Sequence, residues 1–136
     1  MEEILATTTE DIKRHEGFKG MAYKDSLGNW TIGYGTLLPL DRVEAELILQ
    51  KRLNAAANEL ISAKPFVMNL PAEAQSILFN MAYNMGVPRL LGFKKMFAAL
   101  DEEDYERAAD EMLDSRWHDE VKGRAEELAE RMRRMA

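Results

Sequence analysis

The chain contains no cysteine. That excludes a disulfide framework, a zinc–thiolate site and a cysteine nucleophile, so packing alone must hold the fold, independent of redox compartment. Histidine occurs only as His15 and His118. No second histidine follows His15 at ligand spacing, so no metal site is expected, and no cofactor either. No Ser-His-Asp arrangement and no phosphate loop is visible. No apolar run is long enough to span a bilayer, so no membrane insertion is expected. The N-terminal stretch MEEILATTTEDIK lacks a basic region followed by an apolar core. It therefore does not read as an export signal or signal anchor, and delivery to any substrate outside the cytoplasm would fall to something else. No basic stripe dominates a net charge of −6, which argues against nucleic acid as a partner.

What is present fits one soluble domain and a monomer. The 136 residues are 46% hydrophobic and 31% charged, with no low-complexity stretch. Nine methionines suggest adaptable filler in an apolar core. Charge is uneven. Asp101 to Glu120 carries ten carboxylates against Arg107 and Arg116, and the end from Lys122 is mostly basic. Both stretches read as solvated helix faces, with the terminal MRRM favourably placed for the helix dipole.

Helical signals dominate. A first helix is expected to start near Thr8 or Thr9, with Thr8 and Asp11 at capping-box spacing, and to stop at Gly17. Glu16 then closes that helix, where the dipole disfavours a carboxylate. Residues 18–36, FKGMAYKDSLGNWTIGYGT, read instead as a hairpin. Ser26 to Asn29 form its turn and Trp30 to Tyr34 its second strand. From Asp41, which has capping-box spacing to Glu44, apolar residues Val43, Leu47, Leu53, Ala57, Leu60 and Ile61 recur at helical intervals. Pro65 and Pro71 bracket a break, with Pro71 at the first position of the next helix. That helix carries Ile77, Leu78, Met81 and Ala82, ends at Gly86, and reads as the buried central helix. Further helices are expected at about 93–100, 102–114 and 124–134. The fold class is thus α+β, mainly α.

Glu16, Asp25 and Thr31 are the residues that can carry chemistry. Glu16 ends a helix, Asp25 ends the first strand, and Thr31 follows the turn, which folds positions 25 and 31 toward each other. Two carboxylates and a hydroxyl around a groove suit glycoside hydrolysis: one acid protonates the leaving oxygen while the other carboxylate manages water. Carboxylates are common and most are solvated, so the spacing alone leaves that chemistry and plain surface charge both open. Trp117 reads as a packing anchor, whereas Trp30 reads as either an anchor or a sugar platform. His118 reads as a surface or interhelix residue.

The stretch HEGFKGMAYKDSLGNWTIGYGT resembles the catalytic region of the lysozymes of tailed bacteriophages, glycoside hydrolase family 24. In that family a Glu is followed after eight residues by an Asp and after five more by a Thr, as at Glu16, Asp25 and Thr31. Asn80 to Gly86, Gly92-Phe93, Ser115-Arg116-Trp117 and Arg124-Ala125 also look like the family, in the same order. The resemblance implies a lysozyme-like fold. It has a small N-terminal lobe with the hairpin at about 9–40, a connecting helix at about 41–63 and a helical lobe at about 69–136.

The resemblance also implies a reaction: hydrolysis, with inversion, of the β-1,4 bond between N-acetylmuramic acid and N-acetylglucosamine in bacterial peptidoglycan. Glu16 would be the general acid, and Asp25 and Thr31 would hold the attacking water. Arg124 would pair with Glu16, and Leu37, Tyr83 and Asn84 would line the sugar cleft. The implied setting is host lysis by a phage, from the host cytoplasm once a separate system gives access to the wall, or from the virion as a domain of a larger injection protein. Thr36 departs from a histidine in many relatives, and the acidic charge departs from their usual basicity. Two other readings are a lytic transglycosylase, which uses one Glu and no water, and a non-catalytic wall-binding domain.

Overall fold

A computed structural model describes residues 1–135. The chain divides into two compact units, Met1–Leu47 and Ile48–Ala136.

The first unit opens with α1, Glu2–Glu16. The helix begins six residues before the expected Thr8 start, and the threonines show why. The hydroxyls of Thr7, Thr8 and Thr9 fold back on the carbonyls of Glu3, Ile4 and Leu5, at 3.0, 2.8 and 2.7 Å. Spent inside the helix, none of them caps it. Asp11 pairs with Arg14 at 2.9 Å instead of closing a capping box. Glu2 and Glu3 occupy the first turn, the positive end of the dipole. Gly17, at φ 70°, ends the helix as expected.

A three-stranded antiparallel sheet follows in the order β1 (Lys19–Lys24), β2 (Trp30–Gly33), β3 (Thr36–Leu37). Tyr23 pairs with Thr31 and Lys24 with Trp30, while Thr31 also faces Leu37. The expected hairpin is there, but β2 stops at Gly33 rather than Tyr34. Gly33 and Gly35, at φ 70° and 73°, let the chain reverse around Tyr34 and return as a third strand. Two residues are too few for β3 to show a sequence periodicity. Thr31, in the central strand, is only 3% exposed.

The helix α2 spans Arg42–Ala63, and the unit boundary falls within it. Its start is the capping box read from sequence: Asp41 N donates to Glu44 Oε1 at 3.0 Å, and Glu44 N to Asp41 Oδ1 at 2.8 Å. Its apolar positions are unequally covered. Leu60 is fully buried, whereas Val43 and Leu47 are about two-thirds exposed.

In the second unit a 3-10 turn, Pro65–Asn69, leads to α3, Ala72–Met85. Pro71 sits just before α3 rather than as its first residue. Ala74, Ile77, Leu78, Met81 and Ala82 are buried, so α3 is a core helix as its composition predicts, and it stops at Gly86. The helices α4 (Val87–Leu90), α5 (Lys94–Asp101), α6 (Tyr105–Leu113), α7 (Arg116–Val121) and α8 (Gly123–Arg133) follow. The short α4 and α7 escaped the periodicity. Asp104 caps α6 by accepting from Arg107 N, and Ser115 caps α7 by accepting from His118 N. Buried alanines Ala108, Ala109, Ala125 and Ala129 line the close packing of α6 on α8. Met81, Met96, Met112 and Met132 are fully buried, the filler role expected of them.

The basic C-terminal end is not a merely solvated terminus. Met132 belongs to the core, Arg131 donates to Glu73, and Arg133 donates to Asp110 at 2.9 Å. The helix packing brings the basic end against part of the acidic stretch, which linear reading kept apart.

Candidate active site

Glu16 is the last residue of α1, and Gly17 turns the chain straight into β1. Its side chain lies against Gly35. A Cβ at Gly35 would stand 2.6 Å from Glu16 Oε2 and 2.7 Å from Cδ. Only a glycine leaves the carboxylate that seat.

Asp25 follows β1 directly and organises the turn. Its Oδ1 accepts from Leu27 N at 2.9 Å and Asn29 N at 2.8 Å. Backbone donation from Asn29, joined by Leu27, outweighs partial desolvation and holds the carboxyl below its ordinary range. Asp25 is therefore a carboxylate at neutral pH. Both bonds fall on Oδ1, so Oδ2 is the freer oxygen.

Thr31 Oγ1 donates to the carbonyl of Asn29 at 3.0 Å. That same carbonyl accepts Asp25 N at 2.9 Å. A single residue, Asn29, thus grips Asp25 through its N–H and Thr31 through its C=O. The Thr31 proton is spent, so toward any further group the hydroxyl acts as an acceptor. An ionised carboxylate and an acceptor hydroxyl anchored on one turn suit a species with two protons to donate, and water is one. Asn29 was read from sequence only as a turn residue; a side-chain search misses it because its backbone makes these bonds.

Leu37 is on β3, 59% exposed, opposite Thr31. Trp30 is 52% exposed with the Lys24 ammonium 5.4 Å over its ring. That exposure does not fit a packing anchor within its unit. Trp117 is the anchor: it is 1% exposed, and its Nε1 donates to Asn84 Oδ1 at 2.7 Å.

In the second unit an open pocket of about 450 Å³ is lined by Leu53, Gln75, Phe79, Asn80, Tyr83 and Arg124, among others. Arg124 Nε and Nη2 both donate to Asn80 Oδ1, at 3.0 and 2.6 Å. The structure thus brings Tyr83 and Arg124 to one pocket and gives the Asn84 carboxamide oxygen to Trp117. Sequence reading met Asn80 only as part of the Asn80–Gly86 stretch and gave it no role, and it did not single out Gln75. The signal for Asn80 was its spacing of three and four from Tyr83 and Asn84, which places all three on one helix face.

A carboxylate-ended helix, a small sheet bearing an aspartate and a threonine about one turn, and a helical unit with a buried α3 make this a mainly helical α+β protein of the lysozyme-like class. Residues 13–135 match the family model described as phage lysozyme, and the chain belongs to that family. Curated relatives include a "Probable T4-type lysozyme 2" and a "Probable T4-type lysozyme 1", both from Dictyostelium discoideum. They are 23% and 24% identical to this chain, over 90% of it and 91% of each relative.

Proposed function

We propose that the chain is a peptidoglycan hydrolase that cuts the β-1,4 bond between N-acetylmuramic acid and N-acetylglucosamine with inversion. Glu16, protonated, gives its proton to the glycosidic oxygen as the C1–O bond breaks. Water attacks C1 from the opposite face and loses a proton to Asp25, while Thr31 Oγ1 accepts a hydrogen bond from that water and orients it. The observation that carries this reading is the shared grip of Asn29 on Asp25 and Thr31, which leaves both as acceptors. Membership of the phage lysozyme family supports it. The sugar-cleft roles of Leu37, Tyr83 and Asn84 and the supporting role of Arg124 belong to the same proposal. So does a monomer that acts in host lysis by a phage, reaching the wall from the cytoplasm through a separate system or carried on the virion.

The test is incubation with purified peptidoglycan, followed by product mass and anomer analysis. Hydrolysis with inversion releases a free reducing end that is first the α-anomer. A 1,6-anhydro product, lighter by one water, would mark a transglycosylase, and unchanged glycan a wall-binding domain.

A further inference from the structure

We infer that Gly35 is a positioning residue for Glu16, setting where the proton-donating carboxyl rests; this builds on the hydrolase reading above. Two observations meet at this position. The backbone of Gly35 has φ +73°, which L side chains rarely adopt. A Cβ there would also meet Glu16 first, standing 2.6 Å from Oε2, 2.7 Å from Cδ and 3.0 Å from Cγ. These nearest atoms all belong to the flexible side chain at the exposed end of α1. Adding one methyl group therefore displaces the carboxyl rather than the fold. A shift of that size at a proton donor is costly, because a misplacement of about 1 Å can lower a rate about a hundredfold.

The same turn supplies its own control. Gly33 has nearly the same backbone, φ +70°, but a Cβ there would meet only Thr36 Oγ1, at 4.0 Å, an ordinary contact. Gly33→Ala carries the backbone strain without the overlap, and Gly35→Ala carries both. The strain shared by the two variants cancels in the comparison, leaving the displaced carboxyl.

The experiment compares wild type, Gly33→Ala and Gly35→Ala on purified peptidoglycan fragments. It adds carbon NMR of ¹³C-labelled glutamate, with the Glu16 carboxyl assigned by its loss in Glu16→Gln. Expected are a fall in kcat of about a hundredfold for Gly35→Ala with KM within about twofold, a kcat for Gly33→Ala within about threefold of wild type, and a moved Glu16 resonance in Gly35→Ala only. Should Gly35→Ala fold poorly, Glu16→Ala/Gly35→Ala must melt at a higher temperature than Gly35→Ala, since the overlap is gone. Gly35→Ala turning over like Gly33→Ala, an unmoved Glu16 resonance, or a double variant no more stable than Gly35→Ala would each overturn the inference. A wild type that releases no sugar would sink the hydrolase reading alone, because the resonance still reports the contact.

Discussion

Thr31 has two bonding roles that substitution can separate. Its hydroxyl donates to Asn29 O, and in the proposed reaction it accepts from the attacking water. Thr31→Val keeps the shape and the strand preference but loses both. Peptidoglycan hydrolysis is expected to fall more than tenfold. Stability should drop by about 1 kcal/mol or less, because Asn29 O keeps its bond from Asp25 N. Thr31→Ser restores the hydroxyl and should recover most of the rate. Rates on purified peptidoglycan beside thermal melts decide it: an active Thr31→Val would reduce the threonine to a strand residue and withdraw it from the water site.

At the scale of elements, the end of α5 shows a mismatch between backbone and residue. Glu103 N donates to Leu100 O and Asp104 N to Ala99 O, the paired bonds of a Schellman ending, with Glu103 at φ 58° in the place that favours glycine. A carboxylate there also faces the negative end of the helix dipole. Glu103→Gly is expected to stabilise the protein by about 1 kcal/mol, read from the denaturant midpoint.

The α7–α8 junction holds a pH-dependent clasp. His118 Nδ1 lies 2.9 Å from Leu113 O and Nε2 3.2 Å from Glu126 Oε1. Both partners are acceptors, so only the imidazolium satisfies both. The Glu126 bond first, then the Leu113 carbonyl, raise the His118 pKa above its ordinary value. A raised folded pKa means stabilisation that is full below the unfolded value and lost as pH rises through the folded one. The melting temperature should therefore fall from about pH 6.5 upward. Glu126→Gln should flatten that slope, and an unchanged slope in the variant would place the titration elsewhere.

For the whole molecule, net charge bears on the approach to the proposed substrate. A net charge of −6 meets a bacterial wall that is itself anionic, so long-range forces oppose encounter. Salt should relieve this. Raising NaCl from about 0.01 to 0.15 M shortens the screening length from about 30 to 8 Å, and clearing of purified wall should quicken over that range. A rate that falls from the lowest salt would show that a local patch governs the encounter. Lys13, Lys19 and Lys24, each 5.4–5.7 Å from the centre of an aromatic ring in the first unit, would be the candidates.

The sequence by itself determined what depends on neighbours within a few positions. The Asp41–Glu44 capping box, the stops at Gly17 and Gly86, the Ser26–Asn29 turn, the burial of α3 and the placing of Glu16 at a helix end were all legible, because caps, turns and periodicity act over one or two helical turns. Even there, local rules failed where several options competed. The threonine run bonded back into α1 instead of capping it, and a two-residue strand left no pattern. The tertiary structure alone decided the partners that lie far apart in the chain. Trp117 found Asn84 33 positions away, Arg124 found Asn80 at 44, and Arg131 found Glu73 at 58. The seat of Glu16 against Gly35 is of the same kind. Such pairings follow from which helix faces and turns the packed chain brings within bonding distance, and residue spacing along the sequence does not carry that information.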